Sequence, residues 1–260
     1  MNELYPEAQC VSIEDFIAPD EPYRIIPWGW NEVLKAQLLK KGVPEAQLPT
    51  DEKIKQIKAL QHRSTALPLQ KDVRECKTIE DIESGLQQYG RIVLKATLSG
   101  SGRGLRWIND SFVENDIYWI TKQLQRHRSV MLEPRRNVVL DFALEYTSDS
   151  SGMSFVGYSL FDTQNGVYRG NKILTDEKIA ESIKAYIGIG LEEKRVEVEA
   201  YLSTLADRYE GPVGVDMMVC SGTSGYEIAV SEINFRHTMG LIAHEAIRNN
   251  NYPEDQLWTP

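Results

Sequence analysis

Cysteine is scarce in this 260-residue chain: Cys10, Cys76 and Cys220 stand far apart and are odd in number. They form neither a disulfide framework nor a metal-binding spacing, so each reads as a small buried apolar residue in a reducing compartment. The four histidines, His62, His127, His237 and His244, show no ligand spacing either. No apolar run approaches the ~20 residues needed to cross a bilayer. The start, Met1-Asn-Glu-Leu-Tyr-Pro-Glu, lacks the basic and apolar regions of a secretory signal. The expected location is therefore the cytoplasm. A dense Lys/Arg stripe is also missing, and the formal net charge is −9, which argues against nucleic acid or an anionic membrane as partner. A polyanion can still be held locally, where metal ions and a few aimed cations set the field.

What is there begins as loops and helices. Residues 1–26 have little periodicity, with Pro19, Pro22 and Pro27 breaking regular structure. The stretch Pro27-Trp-Gly-Trp30 is distinctive, and its tryptophans read as core packing rather than a ligand platform. Helices are predicted over 31–41 and after Thr50, which can cap a helix that turns Ile54, Ile57 and Leu60 inward. From about residue 70 helix and strand patterns alternate. Thr78-Ile-Glu-Asp opens a short helix that Tyr89-Gly90 ends, and 91–98 reads as a strand. Ser111-Phe-Val-Glu114 looks like a capping box for a helix to about Arg128. Strands are expected over 129–133, 138–147, 153–162 and 166–173, then helix over 176–208 broken near Gly188 and Gly190. Strands 212–219 and 226–234 flank the turn-like 221–225, and a last helix covers 238–249.

The first chemically informative stretch runs from Val93 through Lys95 to Gly104. Ser99, Gly100, Ser101, Gly102, Arg103 and Gly104 make a loop whose backbone N–H groups can approach anionic oxygens. A Rossmann loop should enter a helix at once, but residues 105–108 alternate. A Walker loop needs Gly-Lys-Ser/Thr, and a kinase loop precedes its strand lysine instead of following it. What remains is a strand lysine, a flexible loop and a second strand. Lys95 among apolar neighbours needs an anion, and phosphate fits; the bland alternative is a strand-end lysine reaching solvent. Read as an unpaired buried cation, it should be replaceable by Met without loss of stability. Arg103 is either a second phosphate cation or an exposed loop residue.

The second informative stretch lies near the C-terminus. Glu232 and Asn234 are two apart on a strand and share a face. Pairing of residues near 220 and 226 would set Asp216 across from Val230, on that same face. Two carboxylates and an amide oxygen are hard ligands of the kind Mg2+ prefers, with water and substrate phosphates completing the shell. The bland alternative, an exposed edge hairpin, sits poorly with Asp216 inside the apolar run 213–219.

In this order, the strand lysine, the glycine-rich loop, a hinge-like Met131-Leu-Glu133-Pro134, then Asp216 and Glu-x-Asn resemble the ATP-grasp superfamily over roughly residues 60–260. The resemblance implies an α+β fold in which two subdomains hold ATP between them. It also implies Mg2+ or Mn2+, and carboxylate and amine or thiol substrates joined through an acyl phosphate. It makes Lys95 the ligand of the α- and β-phosphates and Ser99–Gly104 the lid. Met131, Leu132 and Glu133 become the adenine hinge, and Asp216, Glu232 and Asn234 the metal ligands. Arg236 matches an arginine near the transferred phosphoryl group, and Arg63 stands where an earlier lysine is usual. The expected division is 1–70, a small, mainly helical segment, and 71–260, split near 130. Most members carry a full α/β domain first. Its shortness here points to a shortened chain, a C-terminal portion, a homo-oligomer, or a partner supplying the missing domain. A small-molecule kinase and a nucleotide-binding module without turnover are the rival functions.

Overall fold

The computed structural model describes residues 8–99, 104–248 and 257–258. The chain opens with α1 (Glu32–Lys40) and α2 (Asp51–Leu60), and Thr50 caps α2 by accepting from the Lys53 N–H. Leu38, Val43 and Leu48 make a small local core with Phe16, Ile25 and Trp30. A 3₁₀ segment, Arg63–Leu69, then leads into the first sheet.

That sheet contains β1 (Arg74–Cys76), β2 (Arg91–Ala96), β3 (Leu105–Asn109) and β4 (Val130–Pro134), ordered β1-β4-β2-β3 and antiparallel throughout. Helices α3 (Ile79–Tyr89) and α4 (Glu114–His127) supply Ile82, Leu86 and Ile120 to a core with Ile92, Leu94, Ile108 and Leu132. Thr78 and Asp81 form the expected capping box on α3. On α4 the cap falls at Val113, whose N–H donates to Asp116, so Ser111 is not the capping residue. Successive strand residues point to opposite faces, so Val93 and Lys95 face away from this core. Because β4 belongs to this sheet, the division expected near residue 130 moves to the crossover Arg135–Arg136.

The second sheet is built from β5 (Asn137–Asp149), β6 (Gly152–Gln164), β7 (Val167–Lys172), β8 (Gly211–Gly222), β9 (Gly225–Asn234) and β10 (Leu257–Trp258). Their order is β10-β7-β6-β5-β8-β9, again antiparallel. Helices α5 (Asp176–Ile187) and α6 (Gly190–Ser203) cover one face, burying Phe142, Leu144, Tyr146, Val215 and Met217. Gly188 breaks the two helices at φ 55°, ψ −125°, a conformation that glycine alone adopts cheaply. Ile57, Leu60, Ala66 and Leu69 join this same core, so α2 and the 3₁₀ segment are packed parts of the larger unit. The last helix, α7 (Met239–Arg248), packs against β5, β6 and β7. Among the described residues no helix is long and apolar enough to cross a membrane. Cys76 and Cys220 are buried as expected, but Cys10 is exposed.

Candidate functional site

The face of the first sheet opposite α3 and α4 and the face of the second opposite α5 and α6 enclose a cleft of about 660 Å³, with the start of α7 at its edge. From the first sheet come Val93, Lys95, Leu105, Trp107 and Glu133; from the second come Asp141, Glu145, Ser159, Asp216, Met218, Glu232 and Asn234. The spacing of two within each strand puts these residues on one face and the apolar core residues on the other. The β6–β7 turn reaches across the mouth: a Cβ on Gly166 would meet Leu105 Cδ1 at 2.5 Å.

Lys95 is buried, and the anion that accompanies it is Glu133, which sits opposite Val93 on β4 and reaches Lys95 diagonally, at 2.5 Å. Its Nζ also donates to Ser231 Oγ at 3.0 Å, spanning from the first sheet to the second. The expectation of an unpaired cation is therefore overturned. Arg63 is similarly placed at a junction. It pairs with Glu232, its Nε donates to the Ala96 carbonyl at 3.0 Å, and its terminal nitrogen donates to the Ser99 carbonyl at 3.2 Å.

The metal-type face owes its geometry to an irregularity. Cys220 pairs with Glu227, and a β-bulge at Ser231 sets Asp216 opposite Glu232, with Met217 opposite Val230. The expected Asp216–Val230 pairing is corrected by two residues, one from the hairpin register, in which Cys220 meets Glu227, and one from the bulge. Were Ser231 simply in register, Glu232 would face Val215 in the core, because a one-residue slip exchanges the faces. Gln70 holds the bulge by donating to the Val230 and Ser231 carbonyls at 3.1 and 2.8 Å.

Asn234 donates to Asp216 Oδ2 at 2.9 Å, and its own oxygen accepts from Arg236 at 2.8 Å. Burial, then the neighbouring charges of Glu232 and Glu145, push the Asp216 carboxyl well above the usual range. Two crowded carboxylates and an amide oxygen suit a small hard cation, since Mg2+ takes one or two carboxylates and leaves the remaining positions to water and phosphate. Among the described residues no group of three or more His, Cys, Asp or Glu is arranged as a self-sufficient metal site. Arg63 and Arg236 bring positive charge to the same face, Arg63 against Glu232 and Arg236 against Asn234.

Two of the expected hinge residues need relocation. Met131 and Leu132 lie within β4, flanked on both sides by β1 and β2, and the Leu132 side chain is in the first core. Their backbones are thus committed to the sheet, and the segment with a free side begins at Glu133 and runs through Pro134 to Arg136. Of the glycine-rich loop, Gly100, Ser101, Gly102 and Arg103 lie outside the described residues. Its two ends are in place: Ala96 N–H donates to the Gly104 carbonyl at 2.8 Å, and Gly104 holds φ 98° against Ser99.

The sequence reading also missed residues. Glu145 is fully buried on the cleft floor, accepting from Ser159 at 2.9 Å and Thr238 at 2.7 Å, and burial raises its pKa against those bonds. Its place in the repeating apolar–polar pattern of β5 was the available signal. Trp28 lines the cleft and is 38% exposed, whereas Trp30 packs in the core as expected.

No protein-family profile matches the sequence, and no curated protein matches it. Solved structures do. Biotin carboxylase from Campylobacter jejuni, in complex with β-γ-ATP, is 16% identical with a TM-score of 0.54, over 81% of this chain and 48% of that one. The biotin carboxylase domain of 2-oxoglutarate carboxylase from Hydrogenobacter thermophilus, with MgADP and bicarbonate, is 15% identical with a TM-score of 0.51, over 77% and 47%. Carboxyaminoimidazole ribonucleotide synthase from Aspergillus clavatus, with ATP, is 15% identical with a TM-score of 0.50, over 78% and 51%. The aligned part thus spans about half the length of these proteins. With two antiparallel α+β units, a cleft between them and these likenesses, the chain has the ATP-grasp fold.

Proposed function

We propose that this protein binds ATP with Mg2+ in the cleft and activates a carboxylate as an acyl phosphate for attack by an amine or thiol. One observation carries the proposal: Lys95, Arg63 and Arg236 are gathered with the Asp216–Glu232–Asn234 face in a cleft that also has apolar walls. Val93, Leu105 and Met218 offer those walls to a purine, and the backbone leaving the sheet at 133–136 offers hydrogen bonds to its edge. Bound Mg2+ would neutralise phosphate charge, held by Asp216, Glu232 and Asn234. Binding then amounts to an exchange of partners, in which the arginines that now face these acceptors turn to phosphate oxygens.

Lys95, Arg63 and Arg236 would align and neutralise the triphosphate. A substrate carboxylate oxygen bonds to the γ-phosphorus as the bond to the β-bridging oxygen breaks, releasing ADP. The amine or thiol then bonds to the acyl carbon, gives up a proton, and phosphate leaves. Alignment and charge do most of this work, and no covalent enzyme intermediate is needed. We further propose a cytoplasmic protein that works on small molecules. The acceptor end would be completed by residues 8–69, a second copy or a separate partner.

Calorimetry with Mg-ATP, followed by ADP release across a carboxylate panel with hydroxylamine as trap, tests the proposal. Hydroxamate formation is expected. A stable phosphorylated product would instead make the protein a kinase, and tight binding with no ADP release a nucleotide-binding module. No binding of Mg-ATP would sink all three.

A further inference from the structure

Trp28 is held in place yet not packed away. Its carbonyl accepts from the His237 backbone N–H at 2.9 Å, and His237 Nδ1 lies 3.0 Å from the Pro27 carbonyl and 3.3 Å from that of Trp28. The indole and imidazole ring centres are 6.1 Å apart, at a 40° tilt. Gly29 lets this strap lie directly on Arg236, since a Cβ there would stand 3.1 Å from Arg236 Cβ. A segment more than 200 residues away in sequence is thereby fixed to the arginine of the proposed reaction centre. The indole it presents stays 38% exposed on the cleft wall, although a large aromatic is normally buried where the fold can manage it. Met239, two residues beyond His237, lines the same cleft and supplies a second apolar contact.

A cation with a planar apolar surface beside it is the arrangement that selects an acid carrying a flat hydrophobic group. We infer that Trp28 is a specificity-determining residue of the acceptor subsite, and that the carboxylate substrate bears an aromatic or similarly planar apolar group that lies on this indole while Arg236 takes its carboxylate. This rests on the function proposed above, but it can fail separately. A structural role for Trp28 predicts no dependence of ligand choice on its side chain, because the strap's hydrogen bonds to His237 run through the Pro27 and Trp28 backbone carbonyls.

The test uses the full chain loaded with Mg-ADP and two probes, 3-phenylpropionate and propionate, followed by saturation-transfer NMR and calorimetry. Phenylpropionate should bind at least roughly tenfold more tightly than propionate, the usual scale for one aromatic contact with its burial. Trp28→Ala should abolish that difference and leave propionate and Mg-ADP affinities unchanged, and Trp28→Phe should keep most of it. Equal binding of the two acids, failure of phenylpropionate to bind, or an undiminished preference in Trp28→Ala would each overturn the inference. Mg-ADP binding with hydroxamate formed from other acids but no phenyl preference would remove this inference and leave the ligase proposal standing. Trp28-dependent phenylpropionate binding without any hydroxamate would do the reverse.

Discussion

At Lys95 the same side chain serves the fold and the ligand, and the two roles make separable predictions. Lys95 and Glu133 are each only 9% exposed at the side chain, so removing one leaves the other charged, buried and without its partner. Lys95→Met should therefore destabilise the protein by roughly 3 kcal/mol rather than leave it unchanged. ATP turnover should fall about 10²–10³-fold, the loss typical of one preorganised electrostatic contact. Adding Glu133→Leu should recover much of the stability, because a buried pair replaced by apolar groups is often close to neutral. It should not recover turnover. Urea denaturation beside an ADP-release assay separates the two effects, and a double variant with restored turnover would deny Lys95 its phosphate role.

At the scale of the element, α7 is seated by close approach and by an ion pair. A Cβ on Gly240 would lie 2.1 Å from Glu145 Oε1 and 2.2 Å from Ser159 Oγ. Alanine is the better helix former by about 1 kcal/mol, yet overpacking a buried carboxylate should win. Gly240→Ala should cost a net ~1–3 kcal/mol in chemical denaturation, and a gain in stability would contradict the packing. Further along, His244 lies 3.1 Å from Asp176, which also accepts from the Tyr158 N–H at 2.8 Å. Burial opposes the charge on His244, but Asp176, with Glu245 beside it, outweighs that and raises its pKa above 6.5. Burial likewise opposes charge on Asp176, and His244 and the Tyr158 N–H more than offset it, lowering its pKa below 3.8. The histidine's contribution is full below its unfolded pKa and is lost as pH rises through the raised folded value. The aspartate's is present above its unfolded pKa and is lost as pH falls through the lowered one. The pair thus stabilises most between about pH 4 and 6.5. Replacing His244 by Gln should cost more stability near pH 5.5 than near pH 8.5 in paired melts, and a pH-independent cost would show that the ion pair contributes nothing.

Elements with strong local signals were legible in the sequence. Thr50 and Thr78 cap as their composition suggests, and β5, β6, β8 and β9 lie where strands are expected. What local pattern could not carry was pairing. The three-residue β1 and two-residue β10 have too few residues for a period, and β10 exists through its pairing with β7. The same limit applies at the site. Lys95, Asp216, Glu232 and Asn234 were visible because charge interrupts apolar runs, but their partners were not. Glu133, Gln70 and Ser231 owe their roles to a sheet crossover, a long-range side-chain bond and a bulge. No spacing in one dimension reports these.

Taken whole, the described residues form two sheets joined by a two-residue crossover and tied across the cleft by Lys95 to Ser231 and by Arg63, which pairs with Glu232 of the second sheet and donates to the Ala96 carbonyl of the first. Arg63 also grips the Ala96 and Ser99 carbonyls, so a ligand that draws it from Glu232 acts on the end of β2 and the start of the glycine-rich loop together. Mg-ATP should therefore stabilise the chain as one cooperative unit. At a hundred times its Kd the linkage is worth about 2.7 kcal/mol, which for a chain of this size corresponds to roughly 5–10 °C in Tm. ATP with a chelator should give much less of this, because the Asp216–Glu232–Asn234 face then gains no cation to replace its arginines. Glu232→Ala should melt lower than the parent, since it strands Arg63. Its shift with Mg-ATP should also shrink to a small fraction, and that second effect is the informative one. Scanning calorimetry of both proteins, with and without nucleotide and metal, reads base stability and ligand shift separately. A full Mg-ATP shift in Glu232→Ala would move the metal away from β9, and a shift indifferent to the chelator would remove the metal from the site altogether.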